Sequence, residues 1–322
     1  MIEIFIFIVA AFFCMNMGAP SFAGSFATAV GSKALNRWQA GSLFTIFALL
    51  GAIFLGAAVT KTLGKDIVPT HLLDKTAVLL ILSSATISLF TANIMKVPQS
   101  TSLSTLAAIC GVGFYHHSVA WGKIQYMLFW WILAVGVSFF SIYFTTKYVY
   151  PPRKINFWIY EKIINYRERL AWLVILTSCY KGFAQGSNNV ANAVGPLVAA
   201  GLIDTFWGLL IMGVIFGIGS FIFTGPLDTS SEKIVPLGLL TATVINIISG
   251  TITIIASKLG LPLPTVIVYT VAIFAIGSVK DGMRLTMVNP ATKKTFFTWV
   301  INPILTFGIA YLLAVVFLNN KG

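Results

Sequence analysis

From Trp207 to Thr224, and again from Phe296 to Leu318, the chain runs without one charged residue. Runs of this length match the roughly 20 residues a helix needs to cross a bilayer. In hydrocarbon, backbone polar groups are satisfied only within helices or closed barrels. Barrel strands are about 10 residues long and alternate in polarity, which these runs do not. Composition agrees, with 57% hydrophobic and 9% charged residues, where a soluble domain carries about 25% charge. The chain is therefore expected to be all-α, a polytopic helical membrane protein embedded in a lipid bilayer.

A net charge of +12 raises the question of nucleic acid. The Lys and Arg residues fall in short loops rather than on one basic face, so the charge is read as membrane topology and no nucleic-acid partner is expected. Cys14, Cys110 and Cys179 stand singly in apolar segments, which suggests neither a disulfide framework nor a metal site. No cofactor is indicated. Met1, Ile2 and Glu3 lead straight into apolar sequence, so the start reads as the first membrane segment rather than a cleaved signal.

Apolar runs bounded by Gly, Pro and charge fall near 2–15, 38–60, 76–95, 99–115 and 125–148, then near 171–185, 205–224, 236–257, 263–279 and 295–318. Between the two sets lies a polar linker, residues 150–170, whose WIYEKI pattern suits a short interfacial helix. This divides the chain into a first transmembrane repeat (1–149), the linker, and a second repeat (171–322).

The sets repeat one another. Gly18, Ala23 and Ser25 align with Gly186, Ala191 and Ala193 at an offset of 168; Ile67, Val68, Pro69 recur as Ile234, Val235, Pro236 at 167. Pro98 and Thr101 recur as Pro262 and Thr265 at 164. Five crossings per half is odd, so the second half enters the membrane in the opposite sense, as inverted repeats do. With both termini external and the linker cytoplasmic, the inner loops hold fourteen Lys and Arg, among them Lys33, Arg37, Arg153, Lys154 and Lys293, against six outside. Segments 2–15 and 171–185 are short and run into Gly, Ala, Ser and Asn, so both are expected to be broken helices.

Broken helices at matching places in two halves point to a substrate site, because helix N-termini and freed N–H groups near the midplane hold anions. Asn188, Asn189 and Asn192 in GSNNVANAVGP are costly in hydrocarbon without a role, and the spacing lets Asn188 and Asn192 share a face. Ser100, Thr101 and Ser102 follow the helix-starting Pro98 and offer hydroxyls at a helix N-terminus. Thr265 is their counterpart in the second half, with fewer hydroxyls around it. Lys181 is a cation within an apolar segment and needs a partner, either near the anion path or elsewhere.

GSNNVANAVGP is similar to the GANDVANAxGP signature of the inorganic phosphate transporter (PiT) family, and VPQSTS resembles that family's second motif. The resemblance implies a dimeric, inverted-repeat permease whose signature loops and Ser/Thr motifs surround a tetrahedral oxyanion, usually phosphate with Na⁺ or H⁺. It carries over substrate contacts to Ser21, Ser25, Ser100, Thr101, Ser102, Asn188, Asn189, Asn192 and Thr265, with Lys181 beside them. Phosphate carriers of the family usually have Asp in both signatures, where this chain has Ser21 and Asn189. The first signature, with Pro20 and Gly24 in place of its two Asn, is more similar to the sulfate permease branch.

The reading is thus a secondary permease for sulfate, driven by protons, with phosphate as the alternative and a non-transporting receptor on the same fold as a different class. An enzyme is not indicated: the sequence has no His/Asp/Glu cluster, no nucleophile beside a base and no P-loop. Single cysteines introduced at Asn156 and Asn319 are expected to be labelled from opposite sides of the membrane; labelling from one side would overturn the inverted arrangement.

Overall fold

A computed structural model describes residues 1–95, 99–149, 166–222 and 238–319, together with Phe157 and Glu161. The described residues form helices and short connections, with no strand among them. The first half is built from α1 (Ile2–Gly31), α2 (Arg37–Lys61), α3 (Lys75–Ile94), α4 (Thr101–Tyr115) and α5 (Trp121–Phe144). The second half holds α6 (Arg167–Asn189), α7 (Ala191–Ala199), α8 (Thr205–Ile222), α9 (Leu239–Lys258), α10 (Thr265–Lys280), α11 (Met283–Val288) and α12 (Pro290–Leu318). Among the described residues, seven helices (α1, α2, α3, α5, α8, α9 and α12) are long and apolar enough to cross a membrane. The chain is a multi-pass membrane protein.

Polar contacts sort the helix ends onto two faces. Lys75 pairs with Glu3, and Lys123 with Asp66 at 3.3 Å, which gathers the starts of α1, α3 and α5 on an N-terminal face. Arg37 donates to Ser220 O and Phe221 O, each at 3.4 Å, and Lys294 to Met95 O at 3.4 Å. These contacts gather the starts of α2 and α12 and the ends of α3 and α8 on the opposite, linker face.

The expected span at 99–115 is a half-span. At 15 residues α4 is about 22 Å long, short of the roughly 30 Å hydrocarbon core. Its start lies deep in the membrane, because Asn302, more than three turns into α12, donates to Gln99 Oε1 at 2.7 Å. α10, at 16 residues, is its counterpart in the second half.

Of the two expected broken helices, one is broken. α1 runs from Ile2 to Gly31 without interruption, with Pro20 inside it. Proline at position 20 leaves the carbonyl of Asn16 without its usual intrahelical donor, and Asn93 of α3 supplies one, its Nδ2 lying 3.2 Å from Asn16 O. A side chain from a neighbouring helix thus keeps the helix whole in lipid. α6 does end at Asn189, and α7 restarts at Ala191. The break is one tightened turn: Val190 keeps right-handed helical angles (φ −59°, ψ −35°), and Ala193 N–H donates to Val190 O at 3.1 Å. Pro98, the Ile234–Pro236 match and the WIYEKI stretch lie outside the described residues.

Helix partners correspond between the halves. α1 packs on α8 as α6 packs on α2, α4 on α12 as α10 on α5, and α1 on α3 as α6 on α9. Glycines set the two main crossings. A Cβ on Gly18 would lie 1.9 Å from Phe216 O, and one on Gly186 would lie 1.8 Å from Ala48 O. Gly219 faces Met15 O at 2.1 Å and Gly51 faces Phe183 O at 1.9 Å in the same way. Every residue in one set is 168 positions from its counterpart in the other. Around these crossings Phe22, Phe26, Phe44 and Phe216 form a buried aromatic cluster.

Overpacking of this kind costs about 1–3 kcal/mol or more. Gly186→Ala and Gly18→Ala are each expected to lower the melting temperature of the purified protein by several degrees. Gly136→Ala, where a Cβ meets nothing within 4 Å, should melt as the unaltered chain does.

Candidate anion site

Three helix N-termini converge where the two halves meet. α4 is started by Ser100, whose Oγ accepts from Leu103 N–H at 3.3 Å while the backbone stays extended (φ −84°, ψ 118°). α7 starts at Ala191, and Asn192 in its first turn places Nδ2 at 3.3 Å from Ser102 Oγ and 3.4 Å from Thr101 Oγ1. α10 starts at Thr265, whose Oγ1 is 3.3 Å from Asn189 Nδ2. The starts of α4 and α10 each place the positive end of a helix dipole here, whereas α7 continues from α6 after a single tightened turn.

Asn189 and Ser21, which are 168 positions apart like the paired glycine crossings, meet each other: Asn189 Nδ2 lies 3.0 Å from Ser21 Oγ and 2.9 Å from Gln185 Oε1. Two amide hydrogens serve three acceptors here, so the cluster retains alternatives. Ser25 donates its hydroxyl to Ser21 O at 2.8 Å, one turn away on α1. Ser21, Ser25, Thr101, Ser102, Asn189, Asn192 and Thr265 are all buried. Asn192 Oδ1 and Thr105 Oγ1 have no hydrogen-bond partner among the described residues. Ser, Thr, Asn and Gln supply the whole cluster, so its electrostatics come from neutral dipoles and helix ends.

Asn188 does different work. Its Nδ2 donates to Ser257 Oγ at 3.0 Å and Leu261 O at 2.9 Å, while its Oδ1 accepts from Leu263 N–H at 2.8 Å. The amide is consumed in holding the 259–264 connection, which aims α10. Asn188 and Asn192 share a helical face in spacing, yet only Asn192 reaches the α4 hydroxyls. Ser102 joins the two motifs, donating to Leu263 O at 2.9 Å. Lys181 is fully buried two turns before Asn189, and its Nζ finds no hydrogen-bond partner among the described residues.

Residues passed over in the sequence carry the support. Gln99 donates to Ser88 Oγ at 2.9 Å and also contacts Ser104, while Asn302 donates to it from α12, so three helices fix the start of α4. Gln185 sits four residues before Asn189, a spacing that helical periodicity could have flagged. Asn302 and Asn93 leave no local signal, since their partners lie far along the chain.

This geometry invites comparison with known proteins. The family model described as Phosphate transporter family matches residues 17–314. The chain belongs to the phosphate transporter family. It is 30% identical to the sulfate permease CysP of Bacillus subtilis (strain 168), over 98% of this chain and 88% of that protein. It is 26% identical to a putative phosphate permease of Thermococcus kodakarensis, over 81% of this chain and 84% of the relative. Among solved structures, the sodium-dependent phosphate transporter superimposes with a TM-score of 0.79 at 23% identity, covering 98% of each chain. The fold is shared with that protein, and membership of the family makes this chain an anion transporter rather than an enzyme.

Asn188→Ala would strand Leu263 N–H and Leu261 O in a buried loop, at about 1–3 kcal/mol for each unsatisfied group. That variant is expected to melt several degrees lower than Asn192→Ala, whose amide makes only two long contacts; equal melting points for the two would refute the division of roles.

Proposed function

We propose that the chain is a secondary permease that imports a tetrahedral oxyanion, sulfate first, by proton symport. The observation that carries this reading is the meeting of Ser21 with Asn189, 3.0 Å apart, at the convergence of three helix N-termini. Donors and positive helix ends are aimed at one buried place that contains no carboxylate among the described residues. Near neutral pH sulfate is a dianion with no proton to donate, so it gains from donors alone, whereas phosphate gains from an acceptor as well. The likeness to the Bacillus sulfate permease supports the same choice.

The two halves act in this reading as inverted repeats, with both termini external and the linker cytoplasmic. The support is the correspondence of helix partners between halves and the excess of Lys and Arg in the loops that the sequence assigns to the inner side. Family resemblance adds a homodimer. Substrate contacts fall to Ser21, Ser25, Thr101, Ser102, Asn189, Asn192 and Thr265, with Ser100 and Asn188 holding the helix starts.

Proton coupling follows from charge. A dianion entering against a negative-inside potential costs about 2.3 kcal/mol per charge per 100 mV, so cations must accompany it. Na⁺ prefers hard, charged oxygen ligands, and Ser21 and Asn189 supply none. One observation favours phosphate as the second reading: Asn192 Oδ1 is a buried acceptor without a partner among the described residues, suited to the proton of a hydrogen phosphate.

In proteoliposomes, labelled sulfate is expected to accumulate under an inward proton gradient with choline replacing Na⁺, and unlabelled sulfate to compete better than phosphate. Asn192→Ala and Ser102→Ala should each weaken uptake about tenfold, the loss of one or two hydrogen bonds to a charged ligand. Uptake that follows the Na⁺ gradient and ignores pH, or phosphate outcompeting sulfate, would overturn the assignment.

A further inference from the structure

The correspondence between the halves makes the two half-paths, the stretches that run from the central cluster toward opposite faces, directly comparable. On the linker side, α6 and α9 face each other with Ser178, Lys181, Gln185, Asn246, Ser249 and Thr253, all fully or almost fully buried. The equivalent positions of the other half-path lie 168 residues earlier on α1 and 164 earlier on α3. The latter offset follows from two 20-residue helices, α3 and α9, that begin at Lys75 and Leu239. Those positions are Ala10, Phe13, Met17, Leu82, Ala85 and Leu89, again buried. Six polar residues thus stand on one side where six apolar ones stand on the other.

Burying six polar side chains in a membrane protein is costly unless they serve a polar occupant. Their mutual bonds are few. Asn246 Nδ2 bridges to Ser25 O at 3.2 Å on α1 and Ser178 Oγ at 3.3 Å on α6. Ser249 and Thr253 donate back to their own helix, at 2.6 and 2.7 Å. Lys181 lies between Ser178 and Gln185 on the same helical face, at i+3 and i−4, about 12 Å along α6 from Asn189. Its Nζ is sealed from solvent with no hydrogen-bond partner among the described residues. The helices packed against α6 offer it no acid: α2, α7 and α9 contain no Asp or Glu, and the single one on α1, Glu3, pairs with Lys75 at the opposite face. A buried lysine with no counter-ion among the described residues is half of an ion pair.

Resting on the oxyanion reading above, we propose that Lys181, Ser178 and Asn246 form a second anion-binding station between the central site and the linker face. A dianion leaving the cluster around Asn189 would exchange neutral donors for the Lys181 amine, whose charged form the anion itself stabilises, which makes the linker-side half-path the wetter and more anion-permissive of the two. The half-path lined by Phe13, Met17 and Leu89 offers no such station and closes by apolar contact.

Equilibrium binding of labelled sulfate to the purified full-length protein tests this. Wild type and Lys181→Arg are expected to saturate at two sulfates per chain, Lys181→Met at one, with the remaining affinity within about twofold of wild type. Methionine removes an unpaired buried charge while keeping the volume, so folding is expected to survive. Asn246→Leu, which copies the residue of the other half, is the second variant and should weaken the same sulfate about tenfold. Saturation of the wild type at a single sulfate, or an unchanged count in Lys181→Met, or unchanged affinities in Asn246→Leu, overturns the second station. Failure of the wild type to bind either sulfate or phosphate would instead strike the oxyanion reading itself, and the station would fall with it.

Discussion

Backbone-to-backbone contact at Gly18 and Gly186 holds the rest of the structure in register. Lipid tails are as apolar as leucine, so no hydrophobic force draws helices together inside a bilayer, and close approach through small residues takes its place. At these crossings the added Cβ of any other residue would penetrate a carbonyl of the partner helix, Phe216 O in one case and Ala48 O in the other. The same register decides the site. Ser21 stands three residues beyond Gly18 and Asn189 three beyond Gly186, so fixing both glycines brings Asn189 Nδ2 to 3.0 Å from Ser21 Oγ.

With the crossing fixed, the polar cluster is a matter of aim. α4 and α10 are too short to span, and each begins inside the membrane where lipid could not tolerate a bare helix N-terminus. Protein groups therefore surround both starts: Gln99, tied to α3 and α12, at the first, and Asn188, tied to the 261–263 backbone, at the second. The other amides, on Asn192 and Asn189, bond to neighbouring side chains, Thr101 and Ser102 in one case and Ser21, Gln185 and Thr265 in the other, rather than to the backbone of a connection. Half of what reads as a binding motif in the sequence is thus scaffold for the other half.

Much of this was legible before the structure. Charge-free runs gave the membrane helices, and the offset of 168 is the spacing of the equivalent glycine crossings. The cluster of Ser21, Thr101, Ser102, Asn189, Asn192 and Thr265 was named from the motifs alone, and the structure brings these residues together. What escaped was tertiary. α1 was expected to break after the short segment 2–15, in its small-residue stretch, and it runs through Pro20 because the rescue of Asn16 O comes from Asn93, 77 positions away. Asn188 looked like a ligand because its partners, Ser257, Leu261 and Leu263, carry no local mark. The contrast between the half-paths was invisible because the apolar residues of α1 and α3 read, one helix at a time, as ordinary membrane sequence.

That contrast bears on how a duplicated fold acquires direction. Two identical inverted halves would place the same groups on the way in and the way out, and an anion would meet equal energies at both faces. Here Phe13 and Lys181 occupy equivalent positions, as do Leu82 and Asn246. The backbone correspondence is kept at the glycine crossings, while the side chains at equivalent positions of α1 and α6, and of α3 and α9, differ in polarity. A neutral central cluster suits such a carrier, since a fixed charge at the centre would deepen the well a dianion must leave on every cycle. In the second-station proposal, a lysine displaced about two helical turns toward one face would, when charged, lower the barrier there without deepening the central well by as much, because Coulomb attraction weakens with distance and with the effective dielectric between the groups. The placement of polar residues along a shared frame thus distinguishes the two faces energetically, while the net direction of anion movement is set by the electrochemical gradient.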